Sequence, residues 1–318
     1  MTEKVKVRGK GSMKIAFAAT PRFGALVLGA LLGSAHEVVL VITQPDRPAG
    51  RGRELGISAV KELAFREGLR VEQSEDISSP EVIELLESLG VKTLTVAAFG
   101  QILKGSLLNA LPCINVHGSL LPKYRGAAPV ERAIMDGERV TGVTIMDITP
   151  KLDTGPAYTS RAVYIEDDDD AGSMYEKLGR AGGEALVDVL DALDAGKIEP
   201  TEQNEDAATY AEKITSADME IDWSRPAREI AAQVRGLSPY IGAFTRANGQ
   251  RLKVWKARVS EGGDGPGTTL IEGERLMVSC GTGMLELIEV QPEGKRRMGA
   301  AEFLRGHRKM VEENIMGQ

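Results

Sequence analysis

At 318 residues, with a formal net charge of −7, 42% hydrophobic and 27% charged residues, the chain has the composition of a soluble globular protein. Its length exceeds what one hydrophobic core usually serves, so two domains are expected, and its acidity argues against bulk nucleic-acid binding. No apolar run approaches the ~18 residues needed to span a bilayer, and the basic, polar start MTEKVKVRGKGSMK lacks the apolar core of a secretory signal.

Residues 1–12 read as a disordered extension before Met13. The apolar run MKIAFAAT then predicts a buried strand ending near Ala18. Thr20-Pro21 turns the chain into an apolar helix over 23–32, and 37–43 is a second strand. Strand, turn, helix, strand begins an α/β fold, a Rossmann-like, doubly wound, mostly parallel sheet. The first turn lacks GxGxxG, and Arg22 stands where close approach to a phosphate needs a small residue, so dinucleotide binding is not expected.

Residues 44–55, QPDRPAGRGREL, hold two prolines, two glycines and three arginines. That composition predicts an irregular surface loop carrying Arg47, Arg51 and Arg53, offset by Asp46. A basic, glycine-containing segment after a strand suits one that orders on an anion, RNA being the largest available. A helix over 57–67, a short strand over 69–71, a helix over 80–89 capped by Ser78 or Ser79, and a central strand over 91–98 follow. Phe99, Gly100, Gln101, Ile102 and Leu103 come next, at the sheet's carboxyl edge, where open α/β sheets place ligands.

The most informative stretch is 114–129, INVHGSLLPKYRGAAP. Its start is a short β-branched strand, on which Asn115 and His117 point to the same face. Gly118, Pro122, Gly126 and Pro129 keep the rest irregular. Two polar residues side by side at a strand's end cost roughly 1–3 kcal/mol per unsatisfied group unless they have partners or a task. A helix over 130–136, a strand over 142–147 and a tight polar turn around Asp153 (LDTG) follow. The run ending at Asp170 closes on four aspartates, which cannot all face one ion, so a metal site is not expected. A helix over 171–195 closes the first domain, taken as 13–200.

Polar, acidic text over 201–215 marks a linker, and 216–318 is the second domain. After a helix over 226–237 come five short β-rich runs, 243–247, 252–259, 268–271, 275–279 and 285–291, divided by turn signals such as Asn248-Gly249. That spacing suggests a small OB-like barrel, followed by a helix over 300–308. Lys253 and Lys256, with Arg258, are spaced along one strand, and Lys295, Arg296 and Arg297 form a second basic cluster. Cys113 and Cys280 stand far apart without metal-ligand spacing, which predicts free thiols in a reducing, cytoplasmic compartment, with Cys113 in the buried core.

The stretch from Asn115 through Pro122 resembles the signature of the folate-dependent formyltransferases, and the resemblance extends over nearly everything after Met13. It implies 10-formyltetrahydrofolate as co-substrate, without a metal. It implies Asn115, His117 and Asp153 as the reacting trio. Ser119, Leu120, Leu121 and Pro122 would line the folate, with Gln101, Ile102 and Leu103 facing its pterin ring. One glycine of the family's AGTP turn is an alanine here, in Ala18-Ala19-Thr20-Pro21. The wording PDRPAGRG is similar to the loop of the family branch acting on methionyl initiator tRNA. This implies tRNA as partner, with Arg51 testing the end of its acceptor stem and Arg47, Arg53, Lys253 and Lys256 on its backbone. A monomer is expected. Formylation of a sugar amine or purine precursor, and a non-catalytic RNA-binding protein with a degenerate transferase domain, are the rival readings.

Formyl transfer to an amine needs a donor to the formyl oxygen as it gains negative charge, an acceptor for the amine's proton, and a held cofactor. Asn115 and His117 supply donors, Asp153 orients His117, and proton exchange runs through His117, Asp153 or water. No covalent nucleophile is required.

Overall fold

The computed structural model describes residues 12–49, 54–312 and 316–317. The chain divides into two compact units that interleave in sequence. The first takes residues 1–126, 141–163 and 175–210, and the second takes 127–140, 164–174 and 211–318. In chain order the helices are α1 (Arg22–Gly33), α2 (Ala59–Arg66), α3 (Pro80–Ser88), α4 (Gly105–Ala110), α5 (Pro129–Met135), α6 (Ala171–Asp194), α7 (Ser216–Met219), α8 (Ala227–Leu237) and α9 (Ala300–Glu312). Among the described residues no helix is long and apolar enough to cross a membrane.

The first unit is built on a sheet of β1 (Lys14–Ala19), β2 (Glu37–Thr43), β3 (Val71–Gln73), β4 (Thr93–Ala97), β5 (Cys113–His117), β6 (Val140–Asp147) and β7 (Ala157–Tyr164). Their order is β7-β6-β5-β4-β1-β2-β3. The pairings of β1 with β2 and β4, of β2 with β3 and of β4 with β5 are parallel. The pairing of β5 with β6 is antiparallel and sets His117 opposite Thr144 and Asn115 opposite Met146. In β1, Ile15 through Ala19 are all fully buried, which is why the strand reads as an unbroken apolar run rather than an alternation. The long helix α6 approaches closely because its glycines have no side chain. A Cβ on Gly182 would stand 2.7 Å from Val116 Cγ1, at the middle of β5. Shape at that contact therefore fixes the strand that carries Asn115 and His117.

The second unit holds an antiparallel sheet of β8 (Ala243–Ala247), β9 (Gln250–Ser260), β10 (Thr269–Glu272), β11 (Arg275–Ser279) and β12 (Met284–Pro292), in the order β8-β9-β12-β11-β10. The short strand Met298–Gly299 adds to β12. Register shifts between Val254 and Ala257 bend the long β9, as bulges do where a sheet curls toward a barrel. Trp223, Ile230, Val234, Leu252, Val254, Leu276, Leu285, Leu287 and Phe303 share its core. The whole is a Rossmann-like α/β unit and a smaller barrel-like β unit.

Residues 44–55 correct the expectation of an irregular loop. Arg47–Ala49 pairs antiparallel with Glu54–Gly56. Each strand of a two-stranded ribbon has one partner, so Pro48, which has no N–H, fits at an edge. Arg51 and Arg53 lie outside the described residues, as does the extension over 1–11. Helix α4 had no counterpart in the sequence reading, being six residues long.

Candidate active site

Strand β5 ends at His117, which is 5% exposed. Its Nε2 lies 2.9 Å from the Tyr124 carbonyl oxygen. A carbonyl can only accept, so Nε2 carries the hydrogen and Nδ1 faces elsewhere. That direction is Asp153, whose Oδ2 stands 3.7 Å from Nδ1 and also accepts from Gly126 N at 2.8 Å. The gap is too long for a direct hydrogen bond and short enough for an ion pair once Nδ1 gains a proton. Two positions back, on the same face of the strand, Asn115 is half-buried, and its amide has no hydrogen-bond partner among the described residues. The three residues singled out in the sequence are thus brought together.

The loop after β5 is locked from below. Thr144 Oγ1, fully buried on β6, donates to Ser119 O at 2.8 Å. It accepts from Leu121 N at 3.1 Å and pairs with Ser160 Oγ at 2.9 Å. Ser119 Oγ donates to Lys123 O at 2.6 Å. Leu120, Leu121 and Pro122 remain half-buried, available as an apolar wall. Tyr124 and Asp153 both adopt left-handed backbone, φ 58° and 52°, and neither is glycine. Such residues cost on the order of 1–3 kcal/mol each and persist only where neighbours over-determine them. Here both supply a group to His117.

The neighbours include residues that the sequence reading did not single out. Arg125, between Tyr124 and Gly126, is fully buried and paired with Glu205 at 2.7 Å. Its main-chain N donates to Thr209 O at 2.9 Å, and Tyr124 N donates to Thr209 Oγ1 at 2.9 Å. The polar stretch read as the start of a linker is therefore strapped to this loop over 203–209. The buried guanidinium and these main-chain bonds together hold it there, and neither is visible in composition.

At the end of the adjacent β4, Ile102 is 83% exposed, while Leu103 is buried in the core. The Gln101 amide is engaged inside the protein: Oε1 accepts from Ile77 N at 2.9 Å and Nε2 donates to Ser74 O at 2.7 Å. Its side chain braces a loop. At the start of β5, burial and the Asp147 charge push the Cys113 thiol up to about 12, so it is an inert core thiol. Burial also raises the Asp147 carboxyl, against the Tyr158 hydroxyl that donates to it at 2.8 Å. No cluster of metal-ligating side chains occurs among the described residues.

Among the basic candidates, Arg47 and Lys256 are exposed. Lys253 turns inward: Nζ donates to Ile241 O at 2.7 Å and lies 5.0 Å from the Trp255 ring. Burial, then the nearby Arg251 and Arg297, lower its pKa. Arg297 stacks on Trp255 at 3.3 Å and Arg251 on Phe244 at 3.7 Å, while Arg258 pairs with Glu286 at 2.7 Å.

Comparison with known proteins gives the family. Residues 13–190 match the family described as Formyl transferase, and 213–308 match Formyl transferase, C-terminal domain. A methionyl-tRNA formyltransferase of Caldanaerobacter subterraneus is 44% identical over 301 residues, covering 93% of this chain and 97% of that protein. One of Nitrosospira multiformis is 45% identical over 300 residues, covering 93% and 96%. The chain belongs to the formyl transferase family, in its methionyl-tRNA branch. Among solved structures, this formyltransferase shares its fold with HypX of Aquifex aeolicus in complex with tetrahydrofolic acid, at TM-score 0.67 and 18% identity. That match covers 92% of this chain and 47% of HypX, so the formyltransferase spans about half the length of that neighbour. A Helicobacter canadensis N-formyltransferase, solved with folinic acid and dTDP-3-aminofucose, matches at TM-score 0.66 and 19% identity, covering 88% and 99%.

Proposed function

We infer that this enzyme transfers the formyl group of 10-formyltetrahydrofolate to the α-amino group of methionine on initiator tRNA, giving N-formylmethionyl-tRNA for translation initiation. The observation that carries the reading is the half-buried Asn115 amide, without a protein partner among the described residues, two strand positions from the His117 of the His117–Asp153 couple. The methionyl-tRNA substrate follows from the full-length relatives.

In this reading Asn115 donates an N–H to the formyl oxygen as negative charge develops there, an interaction typically worth about 10²–10³ in rate. His117 holds its Nε2 hydrogen on Tyr124 O and receives at Nδ1 the proton that the attacking amine sheds. Asp153 sits beside Nδ1 to stabilise the imidazolium so formed, and the proton returns to the departing folate nitrogen as its bond to the formyl carbon breaks. Leu120, Leu121 and Pro122, with the main chain of Gln101, Ile102 and Leu103, form the folate side, while Ser119, expected there too, is fully buried and braces the loop from within. Arg47, Arg51, Arg53 and Lys256 meet the tRNA, and Lys253 contributes less because its ammonium is already engaged. The enzyme works as a monomer in the cytoplasm.

The test is incubation with 10-formyltetrahydrofolate and charged initiator Met-tRNA, alongside His117→Ala and Arg51→Ala. Formylation by the wild type, loss of rate in His117→Ala and weakened tRNA discrimination in Arg51→Ala are expected. Bound folate without any formylation of the tRNA would overturn the substrate and point to a small amine.

A further inference from the structure

The two oxygens that frame His117, from Tyr124 and Asp153, come from segments almost thirty positions apart, and one cluster around the buried Arg125 holds both. Arg125 follows Tyr124 directly. Its guanidinium donates from Nε and Nη2 to Gln203 Oε1, at 3.1 and 2.9 Å. It also donates from Nη1 and Nη2 to the Glu205 carboxylate, at 3.0 and 2.7 Å. The amide nitrogen of Gln203 donates the other way, to Asp153 O at 3.0 Å and Gly155 O at 2.7 Å. Gln203 therefore links the chain beside Tyr124 to the turn that carries Asp153. That turn is pressed against β6: a Cβ on Gly155 would lie 1.8 Å from Asp147 O. With one side closed and Gln203 clamping two carbonyls of the turn, those of Asp153 and Gly155, Asp153 is held in its left-handed conformation.

We propose that Gln203, backed by the buried Arg125, is a positioning residue of the transfer reaction that holds the Asp153 carboxylate at Nδ1 of His117. Both ends of the Gln203 amide are engaged by the protein, so it acts through Asp153 rather than on the formyl group. The inference rests on the reading of Asn115, His117 and Asp153 as the reacting groups. A displacement of about 1 Å at a reacting group can cost on the order of 10²-fold in rate, which sets the expected effect.

Arg125 is too deeply buried for a clean test, since its loss removes the whole cluster, so the experiment is made at Gln203. Gln203→Leu removes both halves of the link. Gln203→Glu keeps the acceptor for Arg125 and removes the donor to Asp153 O and Gly155 O. Both should lower kcat on the order of 10²-fold with little change in either KM. Nitrogen-15 NMR of the imidazoles supplies a readout that a scaffold role would not move. The chain has three histidines, and comparison with His117→Ala assigns the His117 signals. Those signals should shift in both Gln203 variants, while those of His36 and His307 stay in place. Wild-type kcat in Gln203→Glu, or a lower kcat with unmoved His117 signals, overturns the proposal. Full activity in His117→Ala overturns instead the reading of the trio on which it rests.

Discussion

The carboxyl end of β5 and the basic strand β9 both carry polar groups, and they handle them in opposite ways. Around β5 the hydroxyl of Thr144 and the guanidinium of Arg125 are buried and answered by specific partners, and the Asn115 amide is left over. Along β9 the cations lie on aromatic faces or against carboxylates, and Lys256 points to solvent. Charge developing on a formyl oxygen is stabilised by dipoles that are already in place and need not reorganise, so a transfer site demands locked geometry. A polyanionic partner is held by many screened charges, each of small effect, so a binding surface tolerates looseness.

That contrast predicts a graded series of effects. The largest belongs to the trio: Asn115→Ala should lower kcat by about 10²–10³ while leaving KM nearly unchanged, as for a contact made in the transition state. A raised KM with intact kcat in steady-state assays would place Asn115 in ground-state binding instead. Next comes Arg125→Ala, which removes a fully buried cation and leaves the partners it held without a donor. Urea titration should show a loss of about 1–3 kcal/mol, since the Glu205 carboxylate left behind is solvent-exposed.

The second unit also has locked pairs, and the tightly held Arg132–Asp218 pair narrows the contrast. Arg132 grips Asp218 through both guanidinium arms, at 2.6 and 3.0 Å, and holds that carboxyl well below the usual carboxylate range. A depressed carboxylate contributes stability above its unfolded pKa of about 3.9 and loses it as pH falls toward the folded value. Arg132→Met should therefore cost about 2 kcal/mol near neutrality and progressively less in acid. A cost that stays constant as the pH drops would show that packing, not charge, makes the difference. The smallest effects are those of the surface cations. Lys256→Ala should reduce the salt slope of tRNA binding by about one unit, and Lys253→Ala should change it less, because its Nζ already bonds Ile241 O. Equal slopes for the two variants would remove the distinction between inward and outward lysines.

Much of this was legible in the sequence because it is written in local pattern. The apolar run of β1, the two-residue spacing of Asn115 and His117 and the turn signals between the short strands of the second unit each reflect physics acting within a few residues. The pairing of residues 47–49 with 54–56 was not legible, since proline and glycine suppress the strand pattern even where an edge ribbon tolerates them. Nor could composition show that 203–209 straps the loop after β5, because polar text reads alike whether it faces water or a buried arginine. The chemistry of the site was determined by residue type along the chain. Its geometry was decided only by tertiary structure, because Tyr124 and Asp153, which bracket His117, owe their backbone conformations to partners far away in sequence.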